Sequence, residues 1–330
     1  FDLMGQIDAA TVLDGYRRTS AINPSILFEG EGWKNYSGMP ISGGMMDQGY
    51  MTRTSVAAVF NDELRDLLRP NLRKAGPKGF LTGKAVPLER LYLNLTGRPR
   101  QNYTTDESAD SMLYIGCHDD LELPDAIALA MGIDKRSAAG RDEIAKRVKL
   151  GNFLILTGQG IPFLHGGQES LGSKPNLGDA TVFNSDVAGR FVASSYHASD
   201  AVNRYVWTRD EVSRNLEEFT RGLIAIRRAN EAFHMNDPKE IAGATVFIPQ
   251  ADPFAFSYSI TLNGETWFIL ANGNESETVF NLGRNVSRAA VLVDGGSAAP
   301  GGIANPQGVR IRGSKVILQG LTPALLKLGN

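Results

Sequence analysis

The 330 residues, 42% hydrophobic and 21% charged, have the balance of a soluble globular protein and suffice for one large domain and a smaller one. A formal net charge of −2 argues against broad attraction to nucleic acid or an anionic membrane surface, and no apolar run of about eighteen residues could span a bilayer. The single cysteine, Cys117, excludes an intrachain disulfide without fixing the compartment, because a large core needs no staples.

From the first residue, Phe1-Asp2-Leu3-Met4-Gly5 reads as the end of a buried strand whose pairing neighbour lies outside the sequence. Short apolar runs then alternate with helical patterns to about residue 238, the signature of repeated βα units. Strands are predicted over residues 1–4, 25–28, 57–60, 112–117 and 161–164, each followed by a loop rich in Gly, Asp, Asn or Glu. Helices are predicted over 7–19, 62–68, 141–157 and 214–229. The last is strongly periodic, with Leu216, Phe219, Leu223, Ile224 and Ile226 available for one face. The apolar stretch 151–156 is short enough to be a buried barrel segment.

The pattern changes near residue 239. Alternating segments over 244–248, 254–260, 266–270, 278–282, 289–293, 309–312 and 315–318, separated by Gly, Pro and Asn turns, predict a closing antiparallel β-sandwich. Asn263-Gly264 between two of them is a strong hairpin signal. Residues 295–302 read as a surface loop, and no internal repeat is present.

Carboxylates end several of the predicted strands. Asp2 ends the first, Glu29 and Glu31 follow the second, and Asp119 follows the fourth within Cys117-His118-Asp119-Asp120. In a parallel α/β barrel such side chains project into one shared mouth. Sequence-distant acids converging there suit glycoside hydrolysis, in which one attacks the anomeric carbon, one protonates the leaving oxygen and one favours the oxocarbenium-like transition state. Taken singly, each has an ordinary explanation: a strand-end Asp is most often a helix N-cap, and Glu-Gly-Glu-Gly is a solvated turn. Alternation puts Glu29 and Glu31 on one face, so periodicity leaves both open as the acid.

Order and flanking residues are more specific. Phe1-Asp2-Leu3-Met4-Gly5, Gly30-Glu31-Gly32-Trp33 and His118-Asp119 resemble the fourth-, fifth- and seventh-strand motifs of the α-amylase superfamily, in its pullulanase branch. Phe60-Asn61-Asp62 with Arg65-Asp66 is similar to the sixth-strand region. The segment from Gly160 to Glu169 is similar to the eighth strand and its loop, and Ser195-Tyr196 with Asp200 and Asn203 to a substrate-side segment. The resemblance covers nearly the whole chain. It implies an α/β fold: the C-terminal part of a (β/α)8 barrel, strands four to eight, over residues 1–238, then a β-sandwich over 239–330.

The same resemblance implies a retaining hydrolase of α-1,6 branch linkages in pullulan, starch or glycogen-derived glucans. Asp2 is then the nucleophile, Glu31 the acid/base with a raised pKa, and Asp119 the transition-state stabiliser. His118, Trp33, Tyr196, Asp120 and Asn203 are expected to contact substrate, the two aromatic rings by stacking on sugar faces. His165 is expected to be structural. No cofactor is required and no paired histidine spacing suggests a catalytic zinc; the superfamily admits a structural calcium, though no local loop compels one. Departures from the family pattern are Asp120 where Asn is usual and Pro124 where Trp is usual, both expected at the rim. The Arg usual two residues before the nucleophile would precede residue 1. An open half-barrel exposes two apolar edges, so the expected partner besides an α-glucan is the N-terminal part of the same enzyme. Alternative readings are an isoamylase-like or transglycosylating relative, or a non-catalytic α-glucan-binding module.

Overall fold

A computed structural model describes residues 1–69, 78–178 and 190–329. Its first half is built on a parallel sheet of β1 (Phe28–Gly30), β2 (Ala57–Phe60), β3 (Ser111–Leu113) and β4 (Ile161–Pro162), in that spatial order. Phe28 pairs with Ala57, Val59 with Ser111, and Met112 with Ile161. Helix α1 (Ala9–Ser20) precedes them, α2 (Asp62–Leu68), α3 (Leu88–Leu95), α4 (Leu123–Met131) and α5 (Ala138–Thr157) lie between them, and α6 (Asp200–Asn203), α7 (Glu211–Ala229) and α8 (Pro238–Ala244) follow. Local chemistry starts several of them: Asp8, Asn61, Ser137 and Asp210 each accept a backbone N–H at a helix N-terminus.

The sequence-based boundaries of β2 and α2 coincide with the structure, while the strand predicted over 25–28 lies later, at Phe28–Gly30, and the one over 161–164 is cut to two residues. Three departures bear on the site and the core. Residues 1–4 are not a strand. Leu3 takes a left-handed conformation (φ 46°) that breaks the extended run, and Met4–Gln6 is a single 3₁₀ turn. The segment still lies along β1: the Phe1 amino group donates to the Glu29 carbonyl at 2.7 Å, and Glu31 N–H to the Phe1 carbonyl at 3.0 Å. Residues 151–156 belong to α5, where every residue from Val148 to Thr157 is buried. β3 stops at Leu113, four residues short of Cys117, because its neighbour β4 offers only two residues for pairing.

The second half comprises β5 (Thr245–Phe247), β6 (Ala255–Leu262), β7 (Glu265–Asn272), β8 (Thr278–Asn281), β9 (Ala290–Val293), β10 (Val309–Arg312), β11 (Lys315–Leu318) and β12 (Pro323–Leu328). They form two antiparallel sheets, ordered β5-β6-β7-β12-β9 and β10-β11-β8. Asn263 and Gly264, at φ 52° and 78°, turn β6 into β7 as the hairpin signal predicts. Along β7 the side chains alternate between two cores. Trp267, Ile269 and Ala271 join the cluster of α5 and α7, whereas Phe268 and Leu270 pack with Phe280, Val316 and Leu318 of the smaller sheet. One continuous core therefore runs from the parallel sheet's helices to the five-stranded sheet. Tyr258 Oη seals that junction, donating to the Thr157 carbonyl at 3.0 Å. Among the described residues no helix is long and apolar enough to cross a membrane.

Candidate active site

Glu31 follows β1 by one residue, and its position is set by close backbone packing on both sides. A Cβ on Gly32 would stand 2.3 Å from Val59 Cγ1, and one on Gly5 would stand 2.1 Å from the Trp33 carbonyl oxygen. Only glycine allows these approaches, which explains why the acid is embedded in Gly-Glu-Gly and faced by Gly5. Gly5 N–H then donates to the Glu31 carbonyl at 2.9 Å. Leu3 N–H donates to Glu31 Oε2 at 3.0 Å, and Oε1 turns toward the loop after β3.

That loop carries His118, Asp119 and Asp120. His118 Nε2 lies 4.0 Å from Glu31 Oε1 and 3.7 Å from Asp119 Oδ1. His118 and Asp119 are 67% and 64% exposed at their side chains, while Glu31 as a residue is only 7% exposed. Lys174, buried and distant in sequence, holds the loop by donating to the carbonyls of His118 (3.1 Å) and Asp120 (2.8 Å). Asp120 sits at φ 63°, a left-handed conformation that Asn and Asp tolerate better than other side chains. The Asn-to-Asp departure therefore keeps what the backbone requires. Pro124 is not at the rim as expected: it is buried in the first turn of α4, where its missing N–H leaves no helical bond unmade.

Burial raises the pKa of Glu31 above the ordinary carboxylate range. The Leu3 N–H works against that shift, while the neighbouring carboxyls of Asp2 and Asp119 add to it. A carboxyl so placed keeps its proton to higher pH than an exposed one and can deliver it into the space it faces. Glu29 has no part in this group, and the structure joins Glu31 alone to Asp2, His118 and Asp119.

The space is a cleft of about 270 Å³ lined by Glu31, Trp33, Phe60, Asp62, Arg65, Tyr114, Cys117, Asp119 and Asp120. Trp33 stacks on Phe60, with ring centroids 6.5 Å apart. A larger cleft of about 1080 Å³ includes His118, Glu122, His165 and Asn203. His118 lies at its boundary with the first, within reach of Glu31. Asn203 spends its amide on the carbonyls of Ser195 and Ala198, closing its own turn. Tyr196 stands apart, 73% exposed and packed on His197. His165, expected to be structural, lines that larger cleft, and its Nδ1 meets Glu122 Oε2 at 3.0 Å.

Arg65, Tyr114 and Lys174 were not foreseen as part of the site. Arg65 Nη1 donates to Tyr114 Oη at 2.7 Å on the cleft wall. An Arg in the second turn of a helix and a Tyr just past a strand carry no local mark of that meeting. Among the described residues, Glu31, His118 and Asp119 alone bring three metal-ligating side chains together, their donor atoms lying within 4.8 Å of one another. The imidazole nitrogen makes this unlike a calcium cage, which is built of oxygens.

No family model matches the chain. Pullulanase A of Streptococcus pneumoniae (strain TIGR4) is 32% identical over 99% of the chain, which spans 28% of that protein. The pullulanase of Bacillus subtilis strain 168 is 27% identical over 73% of the chain. Among solved structures, the catalytic module of the glycogen-degrading pneumococcal virulence factor SpuA superposes with a TM-score of 0.91 at 32% identity, over all of this chain and 52% of that one. The Group B Streptococcus pullulanase SAP does so with a TM-score of 0.91 at 28% identity, over all of this chain and 46% of that one.

Proposed function

The chain is a pullulanase homologue, and from that premise we propose that it carries the catalytic acids of a retaining α-1,6-glucosidase acting on branched α-glucans. One observation supports this most: Glu31, a buried carboxyl whose pKa is raised by burial and by the charges of Asp2 and Asp119, lines an open cleft together with Asp119. Glu31 protonates the glycosidic oxygen, Asp2 attacks the anomeric carbon, and Asp119 favours the positive charge that develops on the ring. Water then cleaves the glycosyl-enzyme with Glu31 as base. A retaining route asks for the two carboxyls to stand close together, and the Asp2 charge is near enough to Glu31 to raise its pKa. Trp33 offers a ring to a sugar face, and His118 and Asp120 offer polar atoms to its hydroxyls. Tyr196 and Asn203 belong to an outer part of the same surface.

In this reading the segment 1–3 and β1 to β4 stand for barrel strands four to eight over residues 1–238, and the sandwich takes 239–330. The parallel sheet then has two open edges. Phe1 and Leu3, on the segment along β1, and Leu27, which directly precedes it, are large apolar side chains left exposed. Such a concentration marks a covered surface, and its cover is the rest of the barrel from the same enzyme. The SAP structure in complex with maltotetraose supports a linear α-glucan as ligand.

The test is Glu31→Gln in the enzyme with its barrel complete. Release of maltotriose from pullulan should fall by about 10²–10⁴-fold, the usual worth of a general acid. Near-normal release overturns the assignment, and products other than maltotriose from the parent enzyme point to an isoamylase-like specificity.

A further inference from the structure

We infer that Glu31, His118 and Asp119 form a binding site for a divalent transition-metal ion, for which Zn²⁺ is the probe, and that the ion blocks the site rather than serving it. The donor set is one imidazole nitrogen and two carboxylate oxygens. Three protein ligands with open remaining positions is a common arrangement for zinc. Ligands at about 2.0–2.2 Å from a tetrahedral ion stand roughly 3.4 Å from each other. Here Glu31 Oε1 and His118 Nε2 are 4.0 Å apart, His118 Nε2 and Asp119 Oδ1 are 3.7 Å apart, and all three donors fall within 4.8 Å.

Closing these gaps takes under about an ångström and a half of movement, and the structure shows where it comes from. Glu31 is held through Oε2 by the Leu3 N–H, which leaves Oε1 as the fixed ligand atom. His118 and Asp119 have exposed side chains that rotate freely, while Lys174 anchors the backbone beneath them. The Asp2 carboxyl beside Glu31 adds negative charge that an ion relieves. The three ligands come from two separated segments, so sequence spacing gives no sign of them. The blocking consequence rests on the function proposed above, because Oε1 occupied by metal cannot carry the acid proton; the binding itself does not.

Isothermal titration of Zn²⁺ alone into the enzyme with its barrel complete, with competition by a chelator of known affinity, tests the site directly. One ion per chain is expected, with Ca²⁺ and Mg²⁺ failing to compete. Loss of a ligand should cost no less than loss of a group that orients one, so His118→Ala and Glu31→Gln should each weaken binding at least about tenfold. His118 is exposed, so its variant keeps the fold, which an unchanged thermal transition confirms. Unaltered affinity in both variants, or no binding, overturns the site and leaves the hydrolase reading standing. Tight binding by a protein that fails to cleave pullulan sustains the site and removes only its inhibitory role.

Discussion

The Leu3 N–H donates to Glu31 Oε2 at 3.0 Å from a residue held at φ 46°, so the backbone beside the proposed nucleophile directly orients the proposed acid. A left-handed conformation at a branched side chain costs about 1–2 kcal/mol, and here it aims a donor that a strand would point elsewhere. The bond stabilises the ionised form of Glu31 and so opposes the burial that raises its pKa. The balance still favours a proton retained above the ordinary carboxylate range.

The pH dependence of turnover follows from that balance. Glu31 must be protonated to act as acid, so activity is lost as pH rises through its pKa. Asp119 contributes to holding that pKa up. Asp119→Asn should move the alkaline limb of kcat/KM to lower pH, apart from any loss in its height. A pH–rate profile of the two forms checks the shift, and movement to higher pH would contradict the electrostatic account. The wild-type limb should also move to lower pH with added salt, because Asp119 is exposed and its field is screened.

Stability should carry a separate signature at Asp110. This carboxyl is buried just before β3, and burial raises its pKa from 3.8 to about 7; the Glu107 N–H opposes the shift, and the charges of Glu107 and Asp106 reinforce it. The folded chain then binds more protons than the unfolded chain between those values, so stability falls as pH rises through that window. The slope from this one group is at most about 1.4 kcal/mol per pH unit. Asp110→Asn removes it, and urea midpoints measured from pH 4 to 7 should differ between the two proteins mainly at the upper end. Parallel curves would mean that Asp110 ionises normally in the fold.

How much of this was legible beforehand depended on whether the signal was local. The alternation of Ala57–Phe60, the Asn61 cap before Asp62–Leu68 and the Asn263-Gly264 turn each depend on neighbours in sequence, and the structure keeps all three. Helix α4 escaped because residues 123–130 are buried on every side, which erases the 3.6-residue period, and its proline imitates a turn. Strand β12 escaped because Ala324, Leu325 and Leu326 are buried on both faces between β7 and β9, so no alternation marks it. The acids were found through the residues flanking them. Lys174, more than fifty residues from the loop it holds, and the left-handed turn at Leu3 had no such flanks, and the segment around Leu3 read as a strand.

Arg147 tests how the two halves of the molecule depend on each other. Its guanidinium is buried, donating to the Leu81 carbonyl at 2.9 Å, to Glu143 of its own helix at 2.7 Å, and to Glu275 after β7 at 2.7 Å. Glu275 is 70% exposed and Glu143 is partly so, so either carboxylate returns to water at little cost when its partner is removed. Glu275→Gln should therefore cost under about 1 kcal/mol. Arg147→Ala is different in kind: it leaves the Leu81 carbonyl without its donor and empties a volume among packed side chains, for roughly 2–4 kcal/mol. Arg147→Met refills much of that volume and should recover part of the loss, leaving the carbonyl as the remainder. Urea denaturation of the three variants separates the terms. If Glu275→Gln costs as much as Arg147→Ala, the ion pair across the two halves, rather than the packing beneath it, joins them.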